Sequence, residues 1–174
     1  MKVHTSLYVC KQNFKFSAAH FLIFDSSRAE QLHGHNYRVL VEMGFSDDRE
    51  LAKKGFQVDF SEVKSLIKTR LDQWDEVILL PGEHPELTIT EVKITDVKTQ
   101  VGPHLLVQFR DRRYQFPKKE VVVLPILNTS VELLSRLLCQ ELLGSLKKYG
   151  VNRLSVRVEE TQGQGAKTSL QLTK

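Results

Sequence analysis

The strongest constraint on the fold is the alternation in residues 28–43, "RAEQLHGHNYRVLVEM". An apolar or aromatic side chain recurs at every second position of its later part: Tyr37, Val39, Val41 and Met43. A period of two is typical of an extended strand with one buried face. Because side chains alternate between the faces of a strand, His33 and His35 lie on the same face as Tyr37. The sequence therefore predicts a strand that opens with two neighbouring imidazoles.

A preceding strand is predicted over residues 7–20, with His20 closing its apolar face. A loop over residues 21–32 joins the two strands as a hairpin, which would bring His20 beside His33 and His35. Three imidazoles without a fourth protein ligand are typical of a catalytic zinc site that keeps one position open. The alternative is three unrelated histidines, two of which cap or pack near the start of a strand.

Two amphipathic helices are predicted further along the chain. The first covers about residues 60–74, where Asp59 and Glu62 have the form of a capping box. The second covers about residues 130–148 and carries a stripe of leucines. Its predicted caps are Thr129 with Glu132 at the start and Gly150 at the end.

The remaining segments are predicted to be β-rich. A short extended piece is expected at 55–60, and the last two strands at 152–160 and 167–172. The β-rich segment between the helices, residues 82–127, is too long for a loop without structure of its own, which predicts an inserted hairpin or small sheet. The order β-β-α-α-β-β favours an α+β fold with a four-stranded antiparallel sheet and two helices on one face. Residues 1–174 are predicted to form a single domain, with its insertion at about 82–122.

Composition narrows the classes of function. The 174 residues carry a formal charge of +4, without a run of Lys or Arg long enough to indicate a nucleic-acid or membrane partner. An anionic small substrate fits this charge equally well. Cys10 and Cys139 lack the spacing of a zinc site or a disulfide framework. The N-terminus lacks the apolar core of a signal peptide, so a cytoplasmic location is expected.

Several motifs together resemble the 6-pyruvoyl-tetrahydropterin synthase and 6-carboxytetrahydropterin synthase family. In chain order they are "FSAAHFL", "HGHNYRV", "VDFSEVK", "LD", "NTSVELL" and "VRVEET". The resemblance covers the chain except residues 76–122. It implies the tunnelling fold, in which trimeric rings close a barrel and stack into hexamers with sites between subunits. It also implies Zn²⁺ on His20, His33 and His35, where the metal binds the side chain of a reduced pterin.

The same resemblance places the pterin anchor at Glu160. This residue follows Leu154, Val156 and Val158 on one strand face, so its carboxylate ends an apolar row. A partly buried carboxylate can accept hydrogen bonds from the 2-amino group and a ring N–H of a pterin. The alternative is a solvated glutamate at the end of a strand.

Two further substrate-binding positions come from the resemblance. Ser130 and Glu132 stand where the family has the Thr and Glu of its "PTxE" motif. Capping of the second helix would also account for Glu132 without any contact to a pterin.

The catalytic positions depart from the usual pattern of the family. The family has a cysteine four residues before the first histidine of HGH, where this chain has Ala29. Glu30 instead forms "ExxHGH", which resembles a branch that cleaves dihydroneopterin triphosphate toward 6-hydroxymethyl-dihydropterin. A carboxylate beside zinc can remove a hydroxyl or carbon-bound proton. The alternative for Glu30 is a solvated loop residue.

The second departure concerns proton transfer. The family pairs Asp and His in "LDH", whereas this chain reads "LDQW", with Asp72 retained and Gln73 in place of the histidine. Glutamine forms hydrogen bonds but cannot carry a proton near neutral pH. His84 or His104 in the insertion could take over this role.

Two functions of different classes follow. The first is a zinc-dependent lyase that acts on the side chain of a reduced pterin such as 7,8-dihydroneopterin triphosphate, with Glu30 as base and Asp72 assisting. The second is a zinc- and pterin-binding homologue that lacks catalysis or whose insertion docks a partner, or one that acts on a different heterocycle. The open metal site and Glu160 favour the enzyme, while Ala29 and Gln73 favour the second function.

Overall fold

The computed structural model describes residues 5–93 and 102–172. In chain order the strands are β1 (Ser6–Val9), β2 (Lys15–His20), β3 (His33–Phe45), β4 (Val77–Pro81), β5 (Thr88–Lys93), β6 (Pro103–Phe109), β7 (Arg112–Pro117), β8 (Val121–Leu124), β9 (Val151–Thr161) and β10 (Gln164–Gln171). The helices are α1 (Arg49–Lys54), α2 (Phe60–Leu71) and α3 (Val131–Leu146).

The chain divides into two compact units. Unit 1 comprises the described residues of Met1–Phe16, Asn36–Asp75 and Val131–Lys174, and unit 2 comprises those of Ser17–His35 and Glu76–Ser130. The boundary falls within β2 and β3, so each of these strands contributes residues to both units. The prediction of a single domain stays a prediction.

Unit 1 contains the predicted antiparallel sheet. Strand β9 pairs with both β3 and β10, and β1 pairs with β3. On the side of β3 away from β9, the Val39 amide donates to the Phe14 carbonyl beside the start of β2. The predicted alternation of β3 is confirmed, because Tyr37, Val39, Val41 and Met43 are all buried. The inner face of this sheet therefore supplies the core of unit 1.

The two predicted helices complete unit 1. Helix α3 packs against β9 and β10 through a row of buried leucines, and α2 contacts α3. The Asp59 carboxylate caps α2 by accepting a hydrogen bond from the Ser61 amide, and Gly150 adopts φ +80° just after α3 and its terminal turn. The elements β2, β3, α2, α3, β9 and β10 confirm the α+β prediction and its order.

The prediction of an extended piece at 55–60 is wrong. The unpredicted helix α1 ends at Gly55, which has φ +78° and donates its amide to the Leu51 carbonyl. The Gln57 side chain accepts from the Leu51 amide at 3.0 Å and donates to the Asp47 carbonyl at 2.6 Å. Because a side chain supplies these hydrogen bonds, the backbone of this segment forms a turn and not a strand.

Unit 2 contains strands whose positions and pairing are not predicted by the sequence. Residues of β2 pair in parallel with β4, and β4 pairs in parallel with β8. Strands β5, β6 and β7 form a separate antiparallel sheet, which we call the insertion sheet. It confirms the predicted β-rich insertion, of which residues 94–101 lie outside the described part of the chain.

The insertion sheet packs against residues 21–32, which we call the site loop. The buried cluster joins Leu105, Val107 and Phe109 of β6 to Phe21 and Ile23 of the site loop. Ala29, Leu32, Tyr114 and Phe116 are half-buried against the same cluster. The loop that leads into β3 therefore rests on the apolar face of the insertion.

Candidate metal centre

Three imidazoles converge in unit 2, at the end of β2 and the start of β3. One ring nitrogen each of His20, His33 and His35 lies within 4.8 Å of the others. Nε2 of His33 is 2.9 Å from Nε2 of His35, and the His20 ring centroid is 4.8 Å from that of His33. Tetrahedral zinc at about 2.0–2.1 Å holds its ligand nitrogens roughly 3.3 Å apart. The spacing of the three rings therefore fits one ion.

Backbone carbonyls fix the protonation of two of these rings. Nδ1 of His20 lies 3.1 Å from the Thr129 carbonyl oxygen, and Nδ1 of His33 lies 2.8 Å from that of Gln31. A carbonyl oxygen only accepts, so each Nδ1 carries the proton and each Nε2 carries the lone pair. A metal ion binds that lone pair, and the carbonyl keeps the ring in its orientation. The donor set therefore suits Zn²⁺ in its chemistry as well as its spacing.

Burial favours the neutral form of His20. This side chain is 1% exposed. Loss of hydration lowers the pKa of His20 to about 4, helped by the neighbouring His33 and His35 and opposed by the Thr129 carbonyl and Glu30. At neutral pH the ring is therefore uncharged, as a metal ligand must be.

The lowered pKa of His20 predicts an acid-sensitive metal-free protein. In the unfolded chain His20 takes up a proton near pH 6.5, but in the folded chain only near pH 4. Between these values the unfolded state binds more protons, so stability falls as pH falls from 6.5 to 4. The expected loss of unfolding free energy is about 3 kcal/mol. Urea unfolding of chelator-treated protein at pH 7 and 4.5 measures it.

The matched control for this effect is His20→Gln. Glutamine has no proton to gain in this range, so the variant should lose less unfolding free energy than the parent between pH 7 and 4.5. Equal losses in the two proteins would contradict the assignment to His20.

The Glu30 carboxylate faces the histidine cluster. Its Oε2 lies 4.0 Å from Nε2 of His33 and accepts a hydrogen bond from the Leu22 amide at 3.1 Å. The Glu30 amide in turn donates to the Leu22 carbonyl at 2.8 Å. The Glu30 side chain is 31% exposed. Glu30 is therefore anchored beside the cluster, unlike a freely solvated loop residue.

Thr129 has a role at the site that sequence reasoning missed. It was predicted to cap α3, but its hydroxyl donates to the Phe21 carbonyl at 3.2 Å, and its own carbonyl accepts from His20. Thr129 therefore orients the His20 ring and does not cap the helix. No local pattern indicates this role, because Thr129 and His20 are 109 positions apart.

Asp72 and Gln73 lie in unit 1. Asp72 is exposed in the turn that follows α2 and forms an ion pair with Lys68 one helical turn earlier. Gln73 lines a cavity of about 290 Å³ in the same unit together with Arg70 and Glu141, which form an ion pair at 2.5 Å. Asp72 is thus paired with a lysine in this chain. In the family motif the same aspartate is paired with a histidine.

The predicted pterin-binding residues are divided between the units. Ser130 is half-buried in unit 2, whereas Glu132 is exposed in the first turn of α3 in unit 1. Glu160 is half-buried near the end of β9, on the face that buries Val156 and Val158. The predicted carboxylate at the end of an apolar row is therefore present.

The two histidines of the insertion have local partners. Nδ1 of His84 accepts from the Glu86 amide at 3.2 Å, and Nδ1 of His104 lies 2.8 Å from the Gly102 carbonyl oxygen. Each ring therefore has a hydrogen-bond partner close by in sequence, and neither ring belongs to the cluster of His20, His33 and His35.

Comparison with known proteins agrees with the geometry. The family model described as 6-pyruvoyl tetrahydropterin synthase matches residues 9–170. A Methanocaldococcus jannaschii protein named provisionally as a 6-carboxy-5,6,7,8-tetrahydropterin synthase is 29% identical over 155 residues, 87% of each chain.

Solved structures show the same fold. The 6-pyruvoyl tetrahydropterin synthase of Plasmodium falciparum superposes with a TM-score of 0.83 at 24% identity, over 98% of this chain and 100% of the other. Two catalytic-residue mutants of the Plasmodium vivax enzyme, with glutamate replaced by alanine or cysteine, superpose at 0.81 with 27% identity and the same coverage. The predicted tunnelling fold is thereby confirmed.

Membrane insertion through a helix has no support in the part of the chain that the structure describes. None of the helices there is both long and apolar enough to cross a bilayer.

Proposed function

The chain belongs to the 6-pyruvoyl tetrahydropterin synthase family, and from this premise we propose that it is a zinc-dependent lyase acting on the side chain of a reduced pterin. The proposed substrate is 7,8-dihydroneopterin triphosphate, in keeping with the "ExxHGH" motif. The single observation that carries the proposal is a carboxylate oxygen of Glu30 4.0 Å from a ring nitrogen of the converging histidines.

The proposed roles divide between metal ligands and a base. His20, His33 and His35 would hold Zn²⁺, which polarises the oxygens of the substrate side chain when bound. Glu30 would remove a hydroxyl or carbon-bound proton, because its carboxylate lies 4.0 Å from Nε2 of His33. The Plasmodium vivax enzyme, whose mutated catalytic residue is a glutamate, supports a glutamate in this role. The Leu22 amide would keep the carboxylate turned toward the site.

The remaining residues are proposed to bind the pterin in an assembled oligomer. Glu160 would accept hydrogen bonds from the pterin ring, with Ser130 and Glu132 as further contacts, and Asp72 would assist proton transfer. Sites between subunits, as the resemblance implies, would allow residues of neighbouring copies to meet. A trimer or hexamer is therefore part of the proposal, as is a cytoplasmic location.

One observation favours a second candidate function. Asp72 is paired with Lys68, and Gln73 cannot carry a proton, so the acid–base pair of the family motif is incomplete. A zinc- and pterin-binding homologue without turnover is consistent with this.

Turnover by the zinc-loaded protein separates the two candidates. The full chain is incubated with 7,8-dihydroneopterin triphosphate, and the products are identified by mass spectrometry. A product shortened in its side chain, such as 6-hydroxymethyl-dihydropterin, is expected. Binding of several reduced pterins without any product would support the second candidate, and neither binding nor product would contradict both.

Glu160→Gln tests the pterin anchor. An amide replaces a charged acceptor, so pterin binding should weaken by roughly 1.5–3 kcal/mol, the range for hydrogen bonds to charged groups. Calorimetry with zinc-loaded protein measures the affinity, and zinc content should stay at the parent value.

The neighbouring Glu159→Gln is the matched control for Glu160. Glu159 is also half-buried on β9, but it faces Arg157 at 3.8 Å. Its variant should bind pterin as the parent does. Equal affinity in Glu160→Gln and the parent would exclude Glu160 as the anchor.

A further inference from the structure

Arg112 connects the insertion sheet to the peptide that carries Glu30. This arginine begins β7 and is half-buried. Its Nη1 donates to the Glu30 carbonyl at 2.5 Å, and its Nη2 donates to the Ala29 carbonyl at 3.1 Å. One guanidinium therefore holds two successive carbonyls of the site loop, 82 and 83 positions away in sequence.

The Glu30 segment is also held by the first part of the site loop. The Glu30 amide donates to the Leu22 carbonyl, and the Leu22 amide donates to the Glu30 carboxylate. An antiparallel bridge joins Ile23 and Ala29. Arg112 supplies partners for the carbonyls of residues 29 and 30, so the segment is bonded both to its own loop and to the insertion sheet.

The insertion sheet also supports the site loop through apolar contacts. The Tyr114 ring, two positions after Arg112 on the same face of β7, lies 5.9 Å from the Phe21 ring. Ala29 packs against the cluster formed by the sheet and the loop. These contacts place the insertion sheet directly against the site loop.

The shape and charge of arginine suit this position. Its planar fork presents parallel N–H donors, and hydrogen bonds from a charged donor are stronger than those between neutral groups. A lysine carries a compact point charge without that fork, so it cannot reproduce the planar two-carbonyl geometry.

We propose that Arg112 is a positioning residue that fixes the Glu30 peptide so that its carboxylate faces the histidine cluster. The insertion sheet thereby serves as the scaffold for the base. The catalytic consequence rests on the proposed function, whereas the immobilisation of the site loop does not.

The kinetic test compares Arg112→Ala and Arg112→Lys with Arg113→Ala in the zinc-loaded enzyme. Arg113 is the neighbouring arginine of β7 and is exposed. In Arg112→Ala, kcat should fall roughly 10- to 100-fold, because a displaced base loses its alignment, while KM changes by less than about twofold. Arg112→Lys should recover part of the loss, and Arg113→Ala should behave as the parent.

A double-mutant cycle distinguishes positioning from general damage. If Arg112 acts through the Glu30 carboxylate, adding Arg112→Ala to Glu30→Gln should cost little further activity. If the double mutant instead loses activity by the product of the two single-mutant losses, the proposal is wrong.

Hydrogen–deuterium exchange gives a test that needs no turnover. Amides of residues 22–30 should exchange faster in Arg112→Ala than in the parent, while those of α3 are unchanged, and Arg113→Ala should leave both at parent rates. If the parent lacks activity on reduced pterins, the proposed function fails, but this exchange pattern still supports the positioning role. Parent-like exchange of the site loop in Arg112→Ala would overturn it, whatever the activity.

Discussion

His33→Ala should leave a folded chain that no longer retains zinc. The substitution removes one of three imidazoles whose ring nitrogens lie within 4.8 Å of one another, and two imidazoles alone hold zinc weakly. The His33 side chain is 39% exposed, so its loss leaves little buried space behind. Metal analysis after dialysis should show about one zinc per chain in the parent and a small fraction of that in the variant. The unfolding free energy of the metal-free forms should differ by less than about 1 kcal/mol.

His104→Ala is the matched control for the loss of zinc. His104 also contacts the carbonyl two positions earlier, with Nδ1 2.8 Å from the oxygen of Gly102, as His33 does with Gln31. Both variants therefore lose an imidazole with the same local bond, but only one should lose the metal. Full zinc occupancy in His33→Ala would show that the three histidines are not the ligand set.

The grouping of the histidines was predictable because it follows from local geometry. His33 and His35 are two positions apart, and the alternation of a strand places them on one face whatever the rest of the fold does. His20 joins them through the hairpin, whose strands are adjacent in sequence. The structure brings the three rings together as predicted.

The supports of the site were not predictable, because they join distant parts of the chain. Thr129 reaches His20 and Arg112 reaches the Glu30 peptide across separations of 109 and 82 positions. Thr129 also has an ordinary local interpretation as a helix cap, and Arg112 lies within the β-rich insertion. Only tertiary packing decides which distant partner such a donor or acceptor meets.

The fold shows the same division between local and distant information. The periods of β3, α2 and α3 predicted those elements, since each buries one face. The parallel pairing of β4 with β2 and β8 was missed, because parallel partners need long connections that leave no local signal. At 55–60 the expectation of an extended piece is wrong, because the hydrogen bonds of the Gln57 side chain favour a turn.

Glu30→Gln should abolish most turnover of 7,8-dihydroneopterin triphosphate while leaving zinc and pterin binding intact. Glutamine has nearly the shape of glutamate, and its amide oxygen can still accept from the Leu22 amide. It cannot accept a proton near neutral pH, so the variant removes the proposed base and little else. The expected fall in kcat is ~10²–10⁴-fold, the usual contribution of a positioned acid or base.

The size of this fall is interpretable only if the loop stays in place. Because the Arg112 contacts to residues 29 and 30 involve backbone carbonyls, Glu30→Gln should leave them unchanged. Exchange of the site-loop amides should therefore match the parent, and zinc content and pterin affinity should too. If kcat falls while these three properties stay at parent values, the fall is caused by the loss of the Glu30 carboxylate. If Glu30→Gln instead turns over as fast as an active parent, the base is another group. A parent without turnover on any reduced pterin would leave Glu30 as an anchored carboxylate beside a metal site that binds but does not cleave.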